Sequence, residues 1–183
     1  VGIAVMVSGV GTNLEAIIEA GVPVAVVVAD RPCRGLELAE SHDIPAVLVE
    51  RTDFSKRFDR DAYSDQVVEV LQKFDPSLVV SAGFGTVVPR VATVFAGRMI
   101  NTHPSLLPAF KGWHPVRDAL EFGVKVTGCT VHIVTEEMDH GPILAQEPVR
   151  ILPGDTEESL HERIKQVERQ LLPDTIKQML EDM

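Results

Sequence analysis

The chain has 183 residues, is 45 % hydrophobic but only 5 % aromatic, and carries a formal charge of −10. Its length suits one domain of roughly 100–200 residues, with a core built mainly from Val, Ile, Leu and Ala. The charge excludes a protein held chiefly by nucleic-acid backbone, which needs many Lys and Arg, and no apolar run approaches the ~18–20 residues that span a bilayer.

Ile3 to Val7 is a continuous apolar run, as expected of a strand buried on both faces. Val1 to Val7 has the look of a signal-peptide core, but it lacks a basic leader and runs into a Gly-rich turn instead of a cleavage site. Val1 is not an initiator Met. The turn Ser8–Thr12 leads into a helix over 13–20. Further along come a buried strand over 24–29, a helix over 35–42 and a short strand over 46–49. Apolar residues at Ala62, Val67, Val68, Val70 and Leu71 predict a helix over 61–73. Strands follow over 77–82 and 97–101, then a helix over 116–122. Cys129 to Val134 alternates like a strand with one wet face, and 143–149 is its partner. Thr156 opens a C-terminal helix with Glu158 and Ser159 in its first turn, which Pro173 is expected to kink or end.

Alternating strands and helices predict an α/β fold with parallel, right-handed units; the 129–149 pair reads as an antiparallel addition. The only cysteines, Cys33 and Cys129, lie far apart in no metal-type spacing. A reducing cytoplasm is the simple reading.

Ligands of such sheets collect at the carboxyl ends of the strands. Three segments fall at strand ends: the Gly9–Asn13 turn, Gly83-Phe84-Gly85, and Asn101–Ser105. The first enters a helix whose leading N–H groups are unpaired and suit a phosphate or carboxylate. It is neither a full dinucleotide fingerprint, since Leu14 holds the third glycine position, nor a Walker loop; a plain turn before a capped helix is the alternative. The third puts Asn101 and His103 on one side of an extended chain. An amide donor beside an imidazole is what a developing oxyanion needs; a structural histidine is the alternative. Asp139 sits in the polar turn Glu136–Pro142, where most acids are simply solvated. His114 and His132 are further candidates, with no HxxxH or HxH spacing to support a metal site.

Taken together, Ser8–Leu14, Ala82-Gly83-Phe84, Asn101–Pro108, Gly128–His132 and Met138–Pro142 resemble the folate-dependent formyltransferases over essentially the whole chain. Within them the N-terminal anion loop is similar to that of the branch acting on glycinamide ribonucleotide (GAR). This resemblance implies one formyltransferase domain over 1–183, a three-layer sandwich around a mostly parallel, mixed sheet of seven strands. The co-substrate it implies is 10-formyltetrahydrofolate, and no metal. It makes Asn101, His103 and Asp139 catalytic. Gly11, Thr12 and Asn13 then hold the ribonucleotide phosphate, and Lys165 and Glu168 touch the ribonucleotide. Phe84, Gly85, Thr86, Val87, Val88, Glu137 and Met138 fall in the folate pocket, with Arg60 near the glutamate tail.

There are departures. Gly85-Thr86 stand where some family members carry Met-Arg, so one basic folate contact is missing. Val116 stands where some relatives have His, and His140 where Gly is common. The expected partners are small molecules, with no nucleic acid and no membrane; a homodimer is compatible with the sequence. Rival readings are methionyl-tRNA formyltransferase, which needs a second, tRNA-gripping domain, and 10-formyltetrahydrofolate hydrolase, which normally carries an N-terminal regulatory domain. The early end of the chain, its acidity and its start at Val1 weigh against both. A non-catalytic nucleotide-binding module would explain the glycine loop but not the Asn101–Asp139 set.

Overall fold

The computed structural model describes residues 2–183. Val1, the first residue of the N-terminal apolar run, lies outside them. Seven strands form a mixed sheet in the order β3-β2-β1-β4-β5-β6-β7, the α/β class expected from the alternation of elements. By their contacts the residues fall into two compact units, 1–100 and 101–183.

In the first unit, β1 (Ile3–Val7) is buried at every position and pairs in parallel with β2 (Val24–Ala29) and β4 (Val79–Ser81). β2 pairs in parallel with β3 (Ala46–Leu48). Crossover helices cover both faces of a parallel strand, which is why β1 reads as unbroken Ile, Ala, Val and Met. Helices α1 (Thr12–Glu19), α2 (Arg34–Ser41) and α3 (Arg60–Phe74) supply the crossovers. Asp59 caps α3 by accepting from the Ala62 N–H at 3.0 Å. A further helix, α4 (Pro89–Val94), goes unread in the sequence. Pro at its first turn is a start signal, but six residues are too few to show a period. The strand expected over 97–101 is instead β5 (Met99–His103), so pairing extends to His103.

In the second unit, α5 (Pro115–Phe122) precedes an antiparallel pair, β6 (Val126–Ile133) and β7 (Ile143–Arg150). The expected wet face of β6 is not there: Thr127 through His132 are all buried, and the exposed strand is β7. Alternation misled because Thr130 and His132 are polar yet bonded or packed inside. α6 (Glu157–Glu181) begins in a capping box, with the Thr156 hydroxyl and the Ser159 N–H paired at 3.1 Å. Pro173 does not end it; the helix continues to Glu181 with Pro173 buried. Val116, Cys129, Val149, Leu160 and Ile164 form the core under this helix, so the residue that replaces a relative's His is an apolar packing residue. Burial, with Glu168 nearby, pushes the Cys129 thiol up to about 12.

Candidate active site

The Ser8–Thr12 turn closes the first βα connection. Gly11 has φ +81°, a left-handed conformation that disfavours side chains, and a Cβ there would stand 3.1 Å from the Gly35 Cα. The Gly35 N–H donates to the Gly9 carbonyl at 3.1 Å, fixing the turn against α2. Thr12 and Asn13 open α1, whose N-cap lacks a side-chain bond, so leading N–H groups remain for an anion.

At the end of β2 lies Asp30, fully buried and not anticipated from the sequence. Arg31 grips it through Nε at 3.1 Å and Nη2 at 3.3 Å, and Thr86 donates to it at 2.7 Å. Burial alone would raise its pKa, but hydrogen bonds from Arg31, Ser8 and Thr86 outweigh that and hold it below the usual carboxylate value. Ser8 Oγ also accepts the Gly85 N–H at 2.7 Å. The departure Gly85-Thr86 therefore has a structural role: Thr86 is buried on Asp30, and the cation beside the turn is Arg31. Phe84 and Val87 are half-buried, Val88 is buried, and Arg60 is exposed at the start of α3. An acid directly after six apolar strand residues was the available signal for Asp30.

The second unit gathers the groups that can carry chemistry. β5 presents Asn101 and His103, two residues apart on one side. His103 is buried; its Nε2–H donates to the Phe110 carbonyl at 2.9 Å. That bond turns Nδ1 toward Asp139 Oδ1, at 3.6 Å. The gap is too long for a hydrogen bond. A proton on Nδ1 is thus left for a third atom. Asp139 is not a solvated turn acid. Its side chain is 8 % exposed, its other oxygen accepts the Gly112 N–H at 2.9 Å, and its own φ is +54°. His132 Nε2 lies 3.9 Å from Asp139 Oδ1 and has no hydrogen-bond partner, while burial lowers its pKa and keeps the ring neutral.

Both ends of this arrangement hang on the loop after β5. The Leu107–Pro108 bond is cis, and Phe110 takes a positive φ of 53°. Ser105 Oγ donates to the Ala109 carbonyl at 2.6 Å. Thr130 Oγ1 donates to the Ser105 carbonyl at 2.7 Å and accepts from the Leu107 N–H at 3.1 Å and from Gln146 Nε2 at 3.0 Å. Across the loop, Lys111 Nζ donates to His140 Nδ1 at 2.8 Å. Gly141 follows because a Cβ there would strike the Ile133 carbonyl. Glu137 and Met138 are exposed, Lys165 is half-buried and Glu168 is buried on α6. His114 is exposed at the start of α5 and does not join Asp139. Phe110, Gly112 and Thr130 carry no chemical signature in the sequence; their roles come from loop shape. Among the described residues, no group of three or more His, Cys, Asp or Glu is arranged to hold a metal.

The sequence model of the family described as formyl transferase matches residues 1–176. A phosphoribosylglycinamide formyltransferase of Mycobacterium tuberculosis is 47 % identical over 176 residues, covering 93 % of this chain and 80 % of that protein. The crystal structure of glycinamide ribonucleotide transformylase 1 from Symbiobacterium toebii matches with a TM-score of 0.89 at 41 % identity, covering 96 % of this chain and 85 % of that one. A formyltetrahydrofolate deformylase from Pseudomonas syringae has a TM-score of 0.88 at 28 % identity, covering 99 % of this chain and 62 % of that one.

Proposed function

The chain belongs to the formyl transferase family, and from that we propose that it transfers the formyl group of 10-formyltetrahydrofolate to the amine of GAR, a step of purine biosynthesis. The observation that carries the reading is the buried His103–Asp139 pair, with one ring nitrogen fixed on a carbonyl and the other aimed at the carboxylate at 3.6 Å. The whole chain, 1–183, works as one formyltransferase domain.

When bound, the folate supplies the formyl carbon that the GAR amine attacks. Asn101 lies two residues before His103 on β5, and its amide donates to the oxygen that becomes negative on that carbon. His103 donates to the same oxygen as a cation, through Nδ1–H. Asp139, directly or through water, takes the proton of the attacking amine and returns it to the leaving nitrogen. Gly11, Thr12 and Asn13 hold the ribonucleotide phosphate, and Lys165 and Glu168 touch the ribonucleotide. Phe84, Val87 and Val88 offer apolar surface to the flat ring of the folate, with Gly85, Thr86, Glu137 and Met138 alongside and Arg60 toward the glutamate tail.

The reaction needs no metal in this reading: His103 Nε2 and His132 Nδ1 are both engaged with backbone carbonyls. The setting is the cytoplasm, which suits two free cysteines. No helix among the described residues is long and apolar enough to cross a membrane. The partners are the two small molecules, with neither nucleic acid nor membrane, and a homodimer is compatible with this assignment.

The test is formyl transfer from 10-formyltetrahydrofolate to GAR by the purified protein, with tRNA and water as alternative acceptors and a chelator in parallel. Formyl-GAR should be the product, undiminished by chelation. Release of formate with no dependence on GAR would make the chain a hydrolase instead.

A further inference from the structure

Asp30 takes no part in the chemistry above, yet it is a fully buried carboxylate at the end of a central strand. Such a group is costly to bury unless several donors meet it. Its donors come from two places. Arg31 is its neighbour on the same strand end. Thr86 belongs to the turn after β4 and donates at 2.7 Å. The residue before it, Gly85, donates its N–H at 2.7 Å to the hydroxyl oxygen of Ser8, the first residue of the anion loop. Two adjacent residues of one turn are thus bonded to two other strand ends, Thr86 to Asp30 after β2 and Gly85 to Ser8 after β1.

We infer that Asp30 is a positioning residue that fixes the 83–88 turn through Thr86, and that this turn fixes the anion loop through Gly85 and Ser8, so that the loop assigned to the ribonucleotide depends on the turn assigned to the folate. This rests on the proposed function for what each loop binds, but not for the tie itself. Because Gly85 and Thr86 are adjacent, removing the Thr86 donor frees the turn from Asp30, and the Gly85 N–H then no longer holds Ser8 in place.

The Gly35 N–H reports the state of the anion loop, because it donates to the Gly9 carbonyl. Thr86→Val keeps the shape of the side chain and deletes its donor; Thr86→Ser restores the donor. In the intact chain, Thr86→Val should speed amide exchange at Gly35 by about tenfold, as expected when a buried bond to a charged group is lost. It should raise the KM for GAR by about tenfold, more than it lowers kcat, although Thr86 lies on the folate side. Thr86→Ser should return both to wild type. Ser8→Ala, which removes the acceptor of the Gly85 N–H, should speed Gly35 exchange likewise and serves if the valine variant does not fold. Wild-type exchange at Gly35 in both Thr86→Val and Ser8→Ala, or failure of Thr86→Ser to restore it, overturns the tie. Should the wild-type protein fail to formylate GAR, the proposed function falls, and the exchange measurement still decides this inference.

Discussion

The two units place polar groups inside the protein by opposite means. In residues 1–100 the buried charge is at a strand end, and the Arg31 and Thr86 donors close over Asp30, which has no exposed surface to offer a ligand. In residues 101–183 the charged pair is left incomplete: His103 and Asp139 are each held by one backbone group, and the 3.6 Å between them stays open. A saturated network fixes shape and an unsaturated one keeps reactivity, because a fully bonded carboxylate has nothing left to offer a transition state. Left-handed backbone at Phe110 and Asp139 sits beside the open pair, whereas the left-handed non-glycine residues of the first unit, Asp43 and Asp75, only follow the ends of α2 and α3. Strained loops of this kind are held where a group must be aimed rather than merely buried.

The sharpest way to break this contrast is Asp139→Asn. It should lower kcat by roughly 10²–10³-fold while both KM values change little, since one transition-state contact typically carries that much. The double variant Asp139→Asn/His103→Ala should be hardly slower than the poorer single one, because the two groups act as a unit; steady-state kinetics in which the losses multiply would separate their roles. Gly11→Val is the counterpart in the first unit. Its φ of +81° and the 3.1 Å approach to Gly35 force the anion loop to move, so the KM for GAR should rise about tenfold or more with folate binding nearly intact. Equal loss of both affinities, read by titration calorimetry, would remove the phosphate from that loop.

Thr130→Val tests whether the loop after β5 depends on its hydrogen-bond hub. Three bonds go at once, and stability should fall by about 1–3 kcal/mol in denaturant titration. The smallest effect is on pH dependence. Burial holds His132 and His161 below the usual histidine pKa, so the unfolded chain binds protons that the folded chain refuses. Stability should therefore decline as pH falls below about 6.5, and His132→Gln should shallow that decline. Asp30, held below its ordinary value, loses its stabilising charge only on further acidification, below about 3.9. Two separate steps in melting temperature against pH would distinguish the units; a single step near pH 4 would contradict the histidine assignment.

Much of this was legible beforehand because it follows from period and punctuation. The run Ile3–Val7, the glycine turn after it and the Thr156 cap each have one structural solution, and the structure adopts it. Other features were set by packing that no local pattern encodes. β6 alternates in polarity yet is buried on both faces, because Thr130 finds three partners and His132 packs beside Asp139. Pro173 did not stop α6, since tertiary burial of that turn outweighs one lost backbone bond. The side chains at 101, 103 and 139 were readable as candidates. The Phe110 carbonyl and Gly112 amide that aim two of them were not, since backbone groups are common to every residue.

The thiol of Cys129 has a use of its own. Buried in the core and pushed up to about 12, it carries almost no thiolate at neutral pH and is shielded from reagents in the folded state. Cys33, half-buried ahead of α2, has no such shield. An alkylating probe should therefore consume Cys33 first, and Cys129 only at the rate at which the core of residues 101–183 opens. The natural pair of cysteines provides, without mutation, a clock for the breathing of one unit and an internal standard in the other.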